Sequence, residues 1–235
     1  MKYTVALCFF SSCFLVAQVS PAPSVRAAVL IEQFKTKPAF TDQFEIAEKL
    51  VKIHDTAILE SLKPYLQDED RHVRGNAAFV FAALGYRQGF EVIVDILRDK
   101  SNRRMGQYNG GNWTLGTQIT ADRYYAAHLL GDLKDARSIP ILVPLLKDKE
   151  VNSIVPWALG EIGDKSAIPP LIETLDDKSP DIRVLAIYAL ETLKATQALP
   201  NLRLLVDDDE RIHFDGLGTV AEAAKAAIAT LEPGP

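Results

Sequence analysis

Residues 150–177 read EVNSIVPWALGEIGDKSAIPPLIETLDD, two short apolar-striped segments joined at Gly163-Asp164. The same arrangement recurs on both sides. Taking Val73 as a reference start, equivalent positions are Asp42, Val73, Asp122, Val151, Ile182 and Val220, four of the intervals close to one period or one period plus a short loop and the one between Val73 and Asp122 long. A unit that returns at a nearly fixed period marks a solenoid, in which each unit buries its apolar face against its neighbours only. The long interval carries an insertion.

Within residues 71–85, RHVRGNAAFVFAALG, the positions Val73, Ala77, Val80, Phe81 and Leu84 form the stripe of an amphipathic helix. Gly85 and Gly163 close first helices by taking the left-handed turn at low cost. Second helices carry their own stripes: Phe90, Ile93, Val94 and Leu97, then Ile141, Leu142, Leu145 and Leu146, then Ile168, Leu171, Ile172 and Leu175. Pro140, Pro169 and Pro200 fall in the first turns of these helices, where a missing amide costs least. Asp68, Asp99, Asp148 and Asp177 mark the exits and are placed to cap the next first helix. The expected fold is all-α, a superhelix of about five to six helical hairpins.

The strings VRGNAAFVFAALG (73–85) and WALGEIGDKSAIPPLIETLDDKSPDIRVLAIYAL (157–190) resemble the short HEAT-like repeats of the phycobilisome-lyase type, which deoxyhypusine hydroxylase also carries. The resemblance covers roughly residues 40–232. It implies the fold and is nearly silent on function, because one scaffold hosts both enzymes and passive binding surfaces. Deoxyhypusine hydroxylase binds iron through paired His-Glu dyads; His54, His72, His128 and His213 are scattered here and none is followed by Glu. A lyase reading lacks support as well.

Composition narrows the rest. Of 235 residues 48% are hydrophobic and 24% charged, an ordinary ordered composition, and the net charge of −5 with no basic cluster argues against a nucleic-acid phosphate backbone as partner. Residues 3–19, YTVALCFFSSCFLVAQV, follow Lys2 and precede small residues and Pro, the pattern of a secretory leader. Cleavage fits after Ala17 or after Ala27. The expected layout is therefore a leader over 1–27, a lead-in over 28–39 with no assigned element, and repeats over 40–232 with an insertion at 100–120, in a periplasmic or secreted protein. Cys8 and Cys13 both lie in the leader, leaving the mature chain without a thiol for a disulfide, zinc or nucleophilic role. Acylation at Cys13 is the alternative membrane attachment, although Phe10 stands three residues before it in place of the usual Leu.

The insertion, SNRRMGQYNGGNWTLGTQIT (101–120), brings Arg103, Arg104, Tyr108 and Trp113 among four glycines. Insertions of this kind in repeat proteins commonly lie on the binding face. Beside it, Phe79, His128, Trp157 and Tyr188 each stand six residues after a unit start, about 150° from the core stripe at 100° per residue. With Tyr124 and Tyr125 they line a groove for a protein or peptide, or form a platform on which the insertion packs. The residues assigned to partner binding are Arg103, Arg104, Tyr108, Trp113, Tyr124, Tyr125, His128 and Trp157.

Three further features carry competing readings. The arginines Arg74, Arg123 and Arg183, with Gln43, Asn152 and Ala221 at the same place, form either a cationic track or local bridges to Asp70 and Asp181. The loop Asp207-Asp208-Asp209-Glu210 fails the calcium-loop spacing, since its twelfth position is Gly218, and reads as an exposed acidic turn. No phosphate loop, nucleophile elbow or zinc helix is present, so no cofactor or metal is expected. The expected role is a non-catalytic exported scaffold; the rival is a metal-dependent envelope enzyme using His128 with Glu161 and Asp132.

Overall fold

The computed structural model of the chain describes residues 24–36, 39–101, 115–213 and 218–232. Twelve α-helices lie among them: α1 (Val25–Thr36), α2 (Phe40–Ile53), α3 (Ile58–Leu62), α4 (Arg71–Ala83), α5 (Arg87–Arg98), α6 (Leu115–Asp132), α7 (Ile139–Leu142), α8 (Val155–Ile162), α9 (Ile168–Thr174), α10 (Pro180–Thr192), α11 (Leu199–Leu204) and α12 (Val220–Leu231). The only strand-like feature among the described residues is an isolated bridge between Arg211 and Thr219. Helices α2, α4, α6, α8, α10 and α12 pack in sequence as one layer, and α3, α5, α7, α9 and α11 return along the other. This is the all-α solenoid that the period demands.

The hairpins repeat because their turns repeat. Each first helix ends on one residue in the left-handed conformation: His54, Gly85, Lys134, Gly163 and Lys194. These sit at the same register, and only two of the five are glycine. An Asp then opens the second helix in three units, Asp55, Asp135 and Asp164 accepting the amides of Ala57, Arg137 and Ser166. The exits are uniform: Asp68, Asp99, Asp148, Asp177 and Asp208 each accept the amide two residues on. The exit aspartates therefore tighten the turn and do not themselves cap the next helix. At α4 that task falls to Asp70, which accepts from His72 and Val73.

Between the layers the core is one continuous cluster of Leu, Ile, Val and Ala, running from Ala27 to Leu231. Full burial of a Leu such as Leu50, Leu62, Leu142 or Leu202 contributes about 1.5–3 kcal/mol against exposure. Gly89 lets α5 approach α4, since a Cβ there would fall 2.2 Å from the Ala78 carbonyl oxygen.

Three boundaries differ from those read from sequence. The lead-in over 28–39, to which no element was assigned, lies largely in α1, whose Ala27, Ile31 and Phe34 are buried and which packs against α2 and α3. The leader assigned to 1–27 lies outside the described residues up to residue 23. Its end overlaps α1, and a cut after Ala27 would remove that helix's first turn. The insertion assigned to 100–120 is shorter, because residues from Leu115 onward belong to α6. Among the described residues no helix is long and apolar enough to cross a membrane.

Candidate functional site

Of the residues assigned to partner binding, Arg103, Arg104, Tyr108 and Trp113 lie outside the described residues. The other four stand on α6 and α8, and the structure separates them. Tyr124 is 41% exposed on the outer face of α6, and burial of the remainder pushes its hydroxyl above the usual tyrosine value. His128 and Trp157 are half-buried and stack face to face, with ring centroids 4.4 Å apart. Gly131 permits this contact: a Cβ there would stand 2.9 Å from both the Trp157 ring edge and the Ala158 backbone. Tyr188, one unit on, is 42% exposed.

Tyr125 turns the other way. Its hydroxyl donates to Asn76 Oδ1, Asn76 Nδ2 donates to the Phe40 carbonyl (2.9 Å) and to Gln43 Oε1 (3.0 Å), and Gln43 Nε2 donates to the Phe34 carbonyl (3.0 Å). A buried polar chain thus ties α1, α2, α4 and α6 together. Around it lie rings that sequence reasoning did not single out: Phe40 stacks on His72 at 4.4 Å and meets Tyr125 edge-on at 5.0 Å. Phe44 meets Phe79 at 5.0 Å and His128 at 6.3 Å. Phe79, expected on an outward face, is consequently buried. The open part of the aromatic row is Tyr124, His128, Trp157 and Tyr188.

The arginines are structural, and Arg183 has partners other than Asp181. Each reaches a main-chain carbonyl at the preceding exit: Arg74 to Asp68 (2.5 Å), Arg123 to Leu97 (2.8 Å) and Arg183 to Asp177 (2.7 Å). Arg123, 2% exposed, also holds Asp148 (2.7 Å) and Glu150, while Arg183 holds Asp208 (2.9 Å) and Glu210 (3.2 Å). The acidic turn at 207–210 is therefore half of a clamp. In α4 the role passes to Arg71, which binds Asp99, Ser101 and the fully buried Asp122. Asp148 is held below the usual carboxylate range first by the Arg123 hydrogen bond, against the opposing effect of burial. Burial pushes Asp99 up, but the Ser101 hydroxyl and amide and the Arg71 charge outweigh it, so Asp99 too is lowered. Asp181 instead accepts the His213 amide at 2.6 Å.

For the rival enzyme trio, His128 Nδ1 lies 2.8 Å from Asp132 Oδ2, close enough for an ion pair though neither atom is aligned for a hydrogen bond. Glu161 pairs with Lys134 at 3.1 Å. Among the described residues no three His, Cys, Asp or Glu side chains are grouped to hold a metal ion.

Residues 118–183 and 148–213 match HEAT repeats. Residues 118–213 are HEAT repeats. No curated protein matches this chain by sequence. Among solved structures it is similar to the complex of CpcE and CpcF of phycocyanin lyase from Nostoc sp. PCC7120, with 18% identity over 90% of this chain and 96% of that one and a TM-score of 0.45. A designed armadillo repeat protein in complex with the peptide (KR)4 shares 19% identity over 89% of this chain and all of its own, with a TM-score of 0.45. Human deoxyhypusine hydroxylase shares 18% over 87% and 84%, with a TM-score of 0.40. At that similarity no ligand or activity transfers.

Proposed function

We propose that this solenoid is an exported, non-catalytic scaffold that binds another protein or peptide on the outer face of its first-helix layer. The observation that carries the reading is the open row Tyr124, His128, Trp157 and Tyr188, which puts rings in register on three successive helices. Aromatic side chains supply large contact area at small entropic cost, and they are enriched among the residues that dominate binding energy. Export rests on the apolar leader sequence and its small-residue flank.

The test is capture from an envelope extract by the purified protein and by a Tyr124→Ala, Trp157→Ala variant that retains its helical circular dichroism. Loss of the captured protein in the variant supports the row as the site. Undiminished capture by the folded variant removes it.

A further inference from the structure

The first helix of the stack leaves an apolar face uncovered. Helix α1 packs against α2 and α3 and buries Ala27, Ile31 and Phe34, while on its opposite side Val25 is 85% exposed and Val29 54%, with Leu30 half-buried beside them. The terminal helix of a repeat array is ordinarily polar on its outer side, because no further unit covers it. Two adjoining recesses of about 460 and 400 Å³ lie along this face, the first between α1 and Lys49 of α2 and the second reaching Lys52 near the end of α2. They share Arg26 and Lys49, and no carboxylate lines either one.

The face is cationic in a chain whose net charge is −5. Arg26, Lys49 and Lys52 are all exposed, and of the three only Lys49 meets a carboxylate among the described residues, Glu45 at 3.8 Å. Asp55, at the margin, is engaged by the amides of Ser24 and Ala57. The chain also enters the array here: Ser24 lines the second recess, and the apolar run of residues 3–19 ends five residues before it. An extended chain spans at most about 3.5 Å per residue, so a run held in a bilayer keeps α1 within about 20 Å of it, and an acyl group on Cys13 keeps it within about 40 Å.

We propose that this face of α1 rests on an anionic membrane surface, Val25, Val29 and Leu30 entering the headgroup layer while Arg26, Lys49 and Lys52 meet lipid phosphates. Apolar burial and attraction to anionic lipid are the two contributions that hold a helix flat at such an interface, and both are present on one side of α1. A second copy is the less suitable occupant, because a two-fold dimer would set this cationic face against itself. The face belongs to the terminal helix, so the inference stands apart from the aromatic row on α6, α8 and α10.

The test uses the full chain with Cys8→Ser and Cys13→Ser, carrying an environment-sensitive dye on Val29→Cys or, as a remote control, on Leu204→Cys, whose native side chain is 80% exposed on α11. Vesicles of phosphatidylcholine with about 30% phosphatidylglycerol should shift the emission of the dye at 29 to the blue, saturably, and shield it from acrylamide, with no change at 204. Residues 3–19 bring the chain to any bilayer, so vesicles of phosphatidylcholine alone are the comparison, and there the dye at 29 should stay in water. Arg26→Glu together with Lys52→Glu, or about 0.5 M salt with the native cations, should weaken the response at 29 about tenfold or more. No response at 29, an equal response at 204, an equal response on both lipids, or a response that survives charge reversal and salt would each overturn the proposal. A blue shift that grows with protein concentration in the absence of vesicles would overturn it too, in favour of a second copy. Should the charge-reversed chain lose its helical circular dichroism, the salt series decides the matter.

Discussion

Replacement of Arg123 by alanine should be among the most damaging single changes in the chain. The guanidinium is 2% exposed and holds the Leu97 carbonyl, Asp148 and Glu150, so it joins the exit of one unit to the exit of its own and the start of the next. Removing one member of a fully buried ion pair costs about 3–5 kcal/mol. Here the carboxylates keep part of their hydration, and Lys100 stays within 3.5 Å of Asp148 and 3.1 Å of Glu150, which brings the electrostatic loss down to about 2 kcal/mol. The two lost methylenes add about 1.6 kcal/mol. A total of about 3–4 kcal/mol corresponds, for a chain of this size, to a fall in Tm of roughly 6–16 °C followed by circular dichroism. The control is Arg137→Ala: Arg137 is exposed, pairs with Asp135 and lies over the Phe90 ring, and its loss should cost about 1 kcal/mol or less. A double-mutant cycle with Asp148→Asn should return a coupling of about 1–3 kcal/mol. If Arg123→Ala loses no more than Arg137→Ala, or the coupling is zero, the clamp does not stabilise the stack.

Three other outcomes follow from the same contacts. Gly131→Ala places a methyl 2.9 Å from the Ala158 backbone and the Trp157 ring, so it should lower stability by about 1–3 kcal/mol and shift Trp157 fluorescence; an unchanged spectrum would show that α6 and α8 part freely. Tyr125→Phe leaves Asn76 Oδ1 without the donor it has now and should cost about 1–3 kcal/mol in urea denaturation, whereas a loss limited to a few tenths would mean that water replaces the hydroxyl. Acid should act through Asp148 and Asp99, both lowered in the folded state. A lowered carboxylate contributes stability that is complete above its unfolded value, about 3.9, and is lost as pH falls through the folded one. Tm should therefore hold from pH 7 to 5 and drop below about pH 4, and Arg123→Ala should show a shallower drop because the share of Asp148 is already gone.

The stack was legible because period, stripe and turn agree: stripes at helical spacing, Gly85 and Gly163 at left-handed turns, and prolines in second-helix first turns all recur in register. The first element was not, because α1 has no upstream repeat against which to align it and its Ala27, Ile31 and Phe34 stripe is cut by the expected leader boundary. The aromatic row was half legible. Its spacing placed Trp157 and Tyr188 outward, but the ring of Phe44, which buries Phe79, and the Phe34–Gln43–Asn76–Tyr125 polar chain come from helices of different units, beyond the reach of a pattern within one helix. The clamps show why local reading missed the partners of Arg123 and Arg183. Asp181 is near Arg183 in sequence but is engaged by His213, and the acceptors that hold both arginines come from the far end of the unit. A helical hairpin brings the chain back towards its origin after one period, so Arg123 and Arg183, one place after their unit starts, lie beside the exits of their own units at Asp148 and Asp208, while in the unit of Arg74 the exit Asp99 is met by Arg71 instead.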